Sequence, residues 1–291
     1  MNTKLIGPLP ALPGWLYRIP GLSETMPSER MIALRLAVGL TVLADLLLTY
    51  LPHADVWRSI IAADVYGERF RWPHLRWTLT RVIGFDATLA VGLIGAGGLI
   101  LARPTRLFAF LAYLTMVSFV NADPMTTNGG DFVRNTLLLT LSVATPVHER
   151  NARVASWPLL TILTLMTVMY TMNGIYKAMS PGWRDGTVIS GILADTYWSN
   201  IPQLATSIPD WLLRSSAWMT LAWELTFPVV ILSSRLRPSW LAVGIAFHIV
   251  TGLTLMIGMF AVYSLCLYMP FMPWERLTGR WPSSASHQDP V

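Results

Sequence analysis

The 291 residues are 53% apolar and 13% charged, about half the charged share of an ordinary soluble domain. Long apolar stretches recur along the whole chain, and a single water-soluble core does not explain them. The formal charge of +5 sits in short connections between apolar runs, so it reads as an orientation signal and not as a nucleic-acid surface.

Residues 1–27 read as an N-terminal cytoplasmic or interfacial segment. They hold Pro8, Pro10, Pro13 and Pro20 before Pro27 and no continuous apolar run, so no cleavable signal is expected. Hydropathy then gives about eight spans: 31–51, 79–102, 107–122, 131–147, 157–178, 216–234, 239–257 and 260–274. The fold class is all-α, a polytopic membrane helical bundle occupying residues 28–276. The segment 239–274 is expected as two elements broken near Gly258, because one rod of roughly 54 Å would overrun a ~30 Å hydrocarbon core. Residues 52–78 (Trp57, Trp72, Trp77) and 179–215 (Trp183, Tyr197, Trp198, Trp211) read as outer segments lying at the interface. Residues 277–291 read as a polar tail. Gly92, Gly95, Gly97 and Gly98 read as a close helix contact.

The short loops set the orientation. Lys4, Arg18 and Arg30, then Arg103 with Arg106, Arg150 with Arg153, Arg235 with Arg237, and Arg276 with Arg280 fall on alternate connections. Residues 123–130 carry no basic residue. Both termini are therefore expected in the cytoplasm, with the chain multi-pass in the membrane.

Ionisable groups inside membrane helices are costly and tend to face the bundle interior or a water-filled cavity. Asn128-Gly129-Gly130-Asp131 opens the fourth span. Asp131, Arg134 and Asn135 then share a helix face, either as a structural ion pair or as part of a site. Tyr170, Asn173, Gly174 and Lys177 form a polar stripe on the fifth span. Only two lysines occur in the chain, Lys4 and Lys177, so a membrane lysine draws notice beside the plainer reading of a snorkelling side chain. Glu224 and His248 each stand as the lone ionisable group in an apolar run, and they are expected to pair directly or through one water. Asp45 and Asp86 are further candidates, and Arg35 and Arg81 read as snorkelling residues. The chain has no phosphate loop, dinucleotide fingerprint, HExxH or CxxC, and its five histidines are scattered, so no metal site is indicated.

In order, these residues spell NGGD-x2-RN (Asn128 to Asn135), Y-x2-NG-x2-K (Tyr170 to Lys177) and W-x2-G (Trp183, Gly186). Then come WE-x3-P (Trp223, Glu224, Pro228), G-x3-H (Gly244, His248) and G-x-F (Gly258, Phe260). The ordered set resembles the HTTM (horizontally transferred transmembrane domain) family, bacterial relatives of vitamin K-dependent gamma-carboxylase, over roughly residues 28–275. The resemblance implies a carboxylase-like or quinol-dependent oxidative enzyme, with Lys177 at the position of the carboxylase's base. A quinol such as menaquinol or ubiquinol is the cofactor it implies. The chain departs from the carboxylase at Asn121-Ala122-Asp123-Pro124, where an Asn-His element is expected. No counterpart of the carboxylase's large soluble domain follows the last span, which sets carboxylation of a protein glutamate in doubt.

Two readings compete. In the first, Lys177, Glu224 and His248 are catalytic. Asn128, Asp131, Arg134, Asn135, Tyr170, Asn173 and Trp183 bind substrate in one outward-facing cavity. In the second, the chain is a non-enzymatic maturation, assembly or immunity partner for a secreted peptide, and the same groups are structural. Membrane lipid is a partner in both, with a peptide substrate or partner membrane protein beside it and no nucleic acid.

Overall fold

A computed structural model describes residues 23–63, 78–101, 104–146 and 152–277. The N-terminal segment before residue 23, the stretch 64–77 with Trp72 and Trp77, and the tail after residue 277 lie outside the described residues. So do Lys4, Arg18, Arg103, Arg150 and Arg280.

The chain folds as an all-α bundle. Helix α1 spans Ser28–Asp45 and continues through a π-helical turn, Leu46–Tyr50. Its buried face repeats every fourth residue at Leu34, Val38, Val42 and Leu46, which gives this helix its central place. Around it run α2 (Ala54–Ala63), α3 (Leu79–Leu101), α4 (Thr105–Ala122), α5 (Gly129–Val143), α6 (Trp157–Met179), α7 (Pro181–Arg184) and α8 (Val188–Ala194). The chain ends in α9 (Asp210–Val230), α10 (Arg237–Thr254), α11 (Phe260–Cys266) and α12 (Trp274–Leu277). Among the described residues, α1 with its π turn, α3, α4 and α6 are long and apolar enough to cross a membrane. Exposed Leu48, Ile94, Leu101, Val229 and Leu253 place apolar side chains on the lipid-facing surface.

Several expected edges move. The sixth element starts at Asp210 rather than 216, because Pro209 precedes the first turn and Asp210 sits favourably near the helix N-terminus. The segment 239–274 is two elements: α10 ends at Thr254, the chain turns through Gly258 at φ 56°, and α11 starts at Phe260. A positive φ suits glycine and interrupts the helix there. Arg35 does not snorkel. It is 7% exposed, and its guanidinium donates to the carbonyls of Leu99 and Ile100 at the end of α3.

The glycine run in α3 is a close helix contact, as its spacing implies. A Cβ on Gly95 would lie 2.7 Å from the Ala112 nitrogen, and one on Gly98 would lie 2.1 Å from the Phe108 ring. Gly97, on the other face, meets open space.

A short antiparallel pair not foreseen in the sequence joins β1 (Thr25–Pro27) to β2 (Arg153–Ala155), with Met26 opposite Val154. It clasps the segment before α1 to the segment before α6. Arg153 adds bonds of 2.7 Å to the Thr25 hydroxyl and carbonyl. Arg30 pairs with Glu275 at 2.9 Å, and Arg106 donates to the Ala144 carbonyl at 2.8 Å. These contacts place Arg30, Arg106 and Arg153 at one end of the bundle. The 123–130 loop, α2, the ends of α6 and α10 and the Gly258 turn lie at the other.

Candidate functional site

The interior polar groups form two clusters. The first is centred on Arg134, which is 1% exposed. Its α5 helix begins with a capping box: the Gly130 N–H donates to Asn128 Oδ1 (2.7 Å) and the Asn128 N–H to Asp131 Oδ2 (2.8 Å). That cap fixes Asp131 one turn before Arg134, and the two pair at 2.8 Å. Arg134 Nη1 also donates to Asp45 Oδ2 on α1 at 3.1 Å, and the Tyr263 hydroxyl from α11 donates to the same oxygen at 2.7 Å. Asn135 Oδ1 accepts from Arg134 Nε at 3.2 Å. The guanidinium lies 5.5 Å from the centre of the Tyr263 ring. Three helices are thus held around one charge.

The second cluster lies between α6, α9, α10 and the end of α11. Lys177 Nζ donates to Glu224 Oε1, a buried ion pair in which Glu224 is 2% exposed and the lysine side chain 21% exposed. Gly174, one turn before Lys177, brings the helices close enough for this pair. A Cβ there would sit 3.1 Å from the Glu224 Cβ and from the Leu225 backbone. The ammonium lies 5.0 Å from the centre of the Trp183 ring. Trp183 is placed by the short α7, and the following turn uses Gly186 at φ 80°, packed on Arg214. In that turn the Thr187 hydroxyl and backbone N–H hold the Asp185 carboxyl below the usual carboxylate range. Beneath the ion pair, the Tyr170 hydroxyl bonds His248 Nε2 at 2.8 Å and the Tyr268 hydroxyl at 2.7 Å.

The expected Glu224–His248 contact is therefore replaced by two others: Glu224 with Lys177, and His248 with Tyr170. Both partners, Tyr170 and Lys177, lie on the α6 stripe, about two turns apart, so each of α9 and α10 presents its ionisable group to α6. Asn173 is exposed and lines neither cavity described below. Asp86 pairs with Arg58 of α2 at 2.6 Å on the exposed surface. Tyr268 and Tyr263 were not singled out in the sequence; their hydroxyls join the two clusters through Tyr170 and Asp45.

Gly244 explains why the G-x3-H spacing matters here. A Cβ at 244 would fall 2.2 Å from the Tyr268 hydroxyl and 2.8 Å from Trp223, so only glycine admits Tyr268 beside His248. Gly244→Ala is expected to cost about 1–3 kcal/mol by overpacking. Adding Tyr268→Phe should recover part of that loss in thermal unfolding in detergent. No recovery would show that the hydroxyl is not what fills this space.

The clusters face separate cavities, not the single one expected. A polar cavity of about 370 Å³ includes Asp45, His53, Asp123, Asn128, Asp131 and Arg134 in its lining. A larger cavity of about 680 Å³ is walled by Ile189, Ile192, Leu213, Val243, Phe247 and other apolar groups, and among the described residues Lys177 is the only ionisable side chain lining it. Phe260 lines both.

A family model described as the HTTM domain matches residues 135–275. The match takes in Lys177, Glu224, His248 and Tyr268 and begins one residue after Arg134. No curated protein and no solved structure matches the chain.

Proposed function

We propose that this chain, whose residues 135–275 match the HTTM domain model, is a membrane enzyme related to the transmembrane part of vitamin K-dependent gamma-carboxylase, acting with a lipid-soluble quinol and with Lys177 as its base. One observation carries this reading: a cavity of about 680 Å³ with apolar walls has Lys177 as its only ionisable lining group among the described residues. Its size and composition suit an amphiphile whose polar head meets one fixed charge. A quinol, menaquinol or ubiquinol, would supply reducing equivalents when bound there.

The chain's own residues supply the rest. Glu224 Oε1 holds Lys177 Nζ and can take its proton, leaving a neutral amine facing the cavity. Trp183 covers the ammonium and limits its access to water. Tyr170, fixed by His248 and Tyr268, holds the adjoining turns of α6 and α10 in register. Asn128, Asp131, Arg134 and Asn135 shape the neighbouring polar cavity. Residues 28–276 act as one unit between the N-terminal segment 1–27 and the tail 277–291. The basic end and both termini lie in the cytoplasm, so the Lys177 end of the bundle faces outward from the bacterial cytoplasmic membrane.

The ion pair also supports a second reading. A lysine already matched to a glutamate can be purely structural, and the chain would then serve as a non-enzymatic partner for a secreted peptide. Quinone content separates the two. The full chain is purified from membranes in mild detergent, extracted with organic solvent, and its quinones are measured by mass spectrometry. Retained quinone is expected. Ala246→Trp, which fills the cavity wall, should reduce it roughly tenfold, the effect of about 1.4 kcal/mol. Quinone absent from the wild type, or unchanged in Ala246→Trp, would favour the structural partner.

A further inference from the structure

Phe260 is the wall shared by the two cavities. On one side its ring meets the His248 imidazole edge-on, 5.9 Å between centroids. On the other it lies against the start of α5. A Cβ on Gly130 would sit 2.8 Å from the Phe260 Cα, and one on Gly129 would sit 3.0 Å from its ring. Two glycines therefore leave the room that this aromatic wedge takes up. Phe260 also opens α11 directly after the Gly258 turn.

The compartments on either side differ in chemistry. The larger is apolar. The smaller has exposed Thr126, Thr127 and Asn128 at its rim, so it opens at the end of the bundle. Its lining carries three carboxylates, Asp45, Asp123 and Asp131, against the single guanidinium of Arg134. That guanidinium is matched within the protein by Asp45 at 3.1 Å and Asp131 at 2.8 Å. Among the described residues, the Asp123 carboxylate accepts only the Met125 N–H at 3.1 Å and has no cation beside it. A cavity lined by an excess of one sign discourages solutes of that sign.

We propose that the polar cavity is the access compartment through which a small water-borne reactant, neutral or cationic, reaches Lys177, and that Phe260 separates it from the lipid-facing cavity. This rests on the reading of the Lys177 cavity as the reaction site. It gives that site two supply routes: the amphiphile from the bilayer and the polar reactant from water, past Phe260. Anionic reactants are selected against before they reach the wedge.

Thiol accessibility tests this without knowledge of the substrate. In a Cys266→Ser background, Thr127→Cys reports on the polar cavity and Thr251→Cys on the apolar one. The full chain in lipid nanodiscs is treated with trimethylammonioethyl or sulfonatoethyl methanethiosulfonate, with rates normalised to free cysteine. The thiol at 127 should react roughly tenfold faster with the cationic reagent, within the range for electrostatic steering. The thiol at 251 should react slowly, and Phe260→Ala should speed it about tenfold with the rate at 127 unchanged, as removal of a gate requires. Phe260→Leu should give an intermediate rate, and it carries the test should the alanine variant fail to fold. Equal rates for the two reagents at 127 would overturn the charge selection. An unchanged rate at 251 in both Phe260 variants, with normal labelling at 127, would overturn the partition. Missing quinone in the extraction experiment would remove the lipid reading while leaving these rates as they are.

Discussion

Arg134→Met is expected to be the most damaging single substitution in the bundle, lowering stability by about 3–5 kcal/mol. Its guanidinium is matched to Asp45 on α1 and Asp131 on α5 and is capped by the Tyr263 ring from α11. Removing it leaves the Asp45 side chain, 5% exposed, as a carboxylate with one remaining side-chain donor, the Tyr263 hydroxyl. Asp131 stands nearer the end of the bundle, with its side chain 12% exposed and the Asn128 N–H still bonded to it. Asp131→Asn should therefore cost only about 1 kcal/mol, the worth of an ordinary hydrogen bond. The check is unfolding of each variant in detergent, followed by loss of tertiary fluorescence. Equal effects of the two substitutions would mean that Asp45 is solvated in the folded bundle and that the cluster does not hold the three helices.

Lys177→Met should be nearly as costly, about 3 kcal/mol, and the cost should be asymmetric across the pair. Losing the lysine strands Glu224 at 2% exposure with no other donor among its described contacts. Losing the glutamate in Glu224→Met strands a lysine that is already 21% exposed and can extend toward the outer end. Glu224→Met alone should therefore cost about 1 kcal/mol. The double variant should recover most of the stability lost in Lys177→Met, since a buried ion pair is often replaceable by apolar groups of similar volume. A double-mutant cycle on unfolding free energies measures the coupling directly. Coupling near zero would mean that the two groups do not depend on each other. Quinone content of the stable double variant then separates a structural pair from a working one, because a site that uses Lys177 loses its ligand although the bundle stands.

The membrane class and the polar positions were legible because both are anomalies of composition: too many apolar residues overall, and charges where lipid should forbid them. The capping box at Asn128 and Asp131 was legible from local spacing alone. The partners were not. Periodicity gives the face of a helix on which Glu224 or His248 lies. It does not give the rotation of one helix against its neighbour. Here α6 and α9 approach closely at Gly174, and Gly244 leaves the room that Tyr268 takes beside His248. The division of the cavity was hidden for a similar reason. Phe260 looks like any apolar residue at a helix start until its position against Gly129 and Gly130 is known. Tyr268 and Tyr263 were hidden because a tyrosine near a span end reads first as an interface anchor.

The clasp between β1 and β2 has a consequence for biosynthesis. Its strands stand at residues 25–27 and 153–155, and the Arg153–Thr25 bonds bridge a sequence separation of 128 residues. It cannot close until the ribosome has released residue 155, by which point α1 to α5 have all left the exit tunnel. The first five helices must therefore be held in the bilayer by their own packing while translation continues, and the dense α3–α4 glycine contact supplies it without help from later segments. Closing the clasp then fixes the start of α6 beside the start of α1. The helix that carries Lys177 is thus laid onto helices already made, its ion pair waits for Glu224 of α9, and the Arg134 cluster is completed only when Tyr263 of α11 follows.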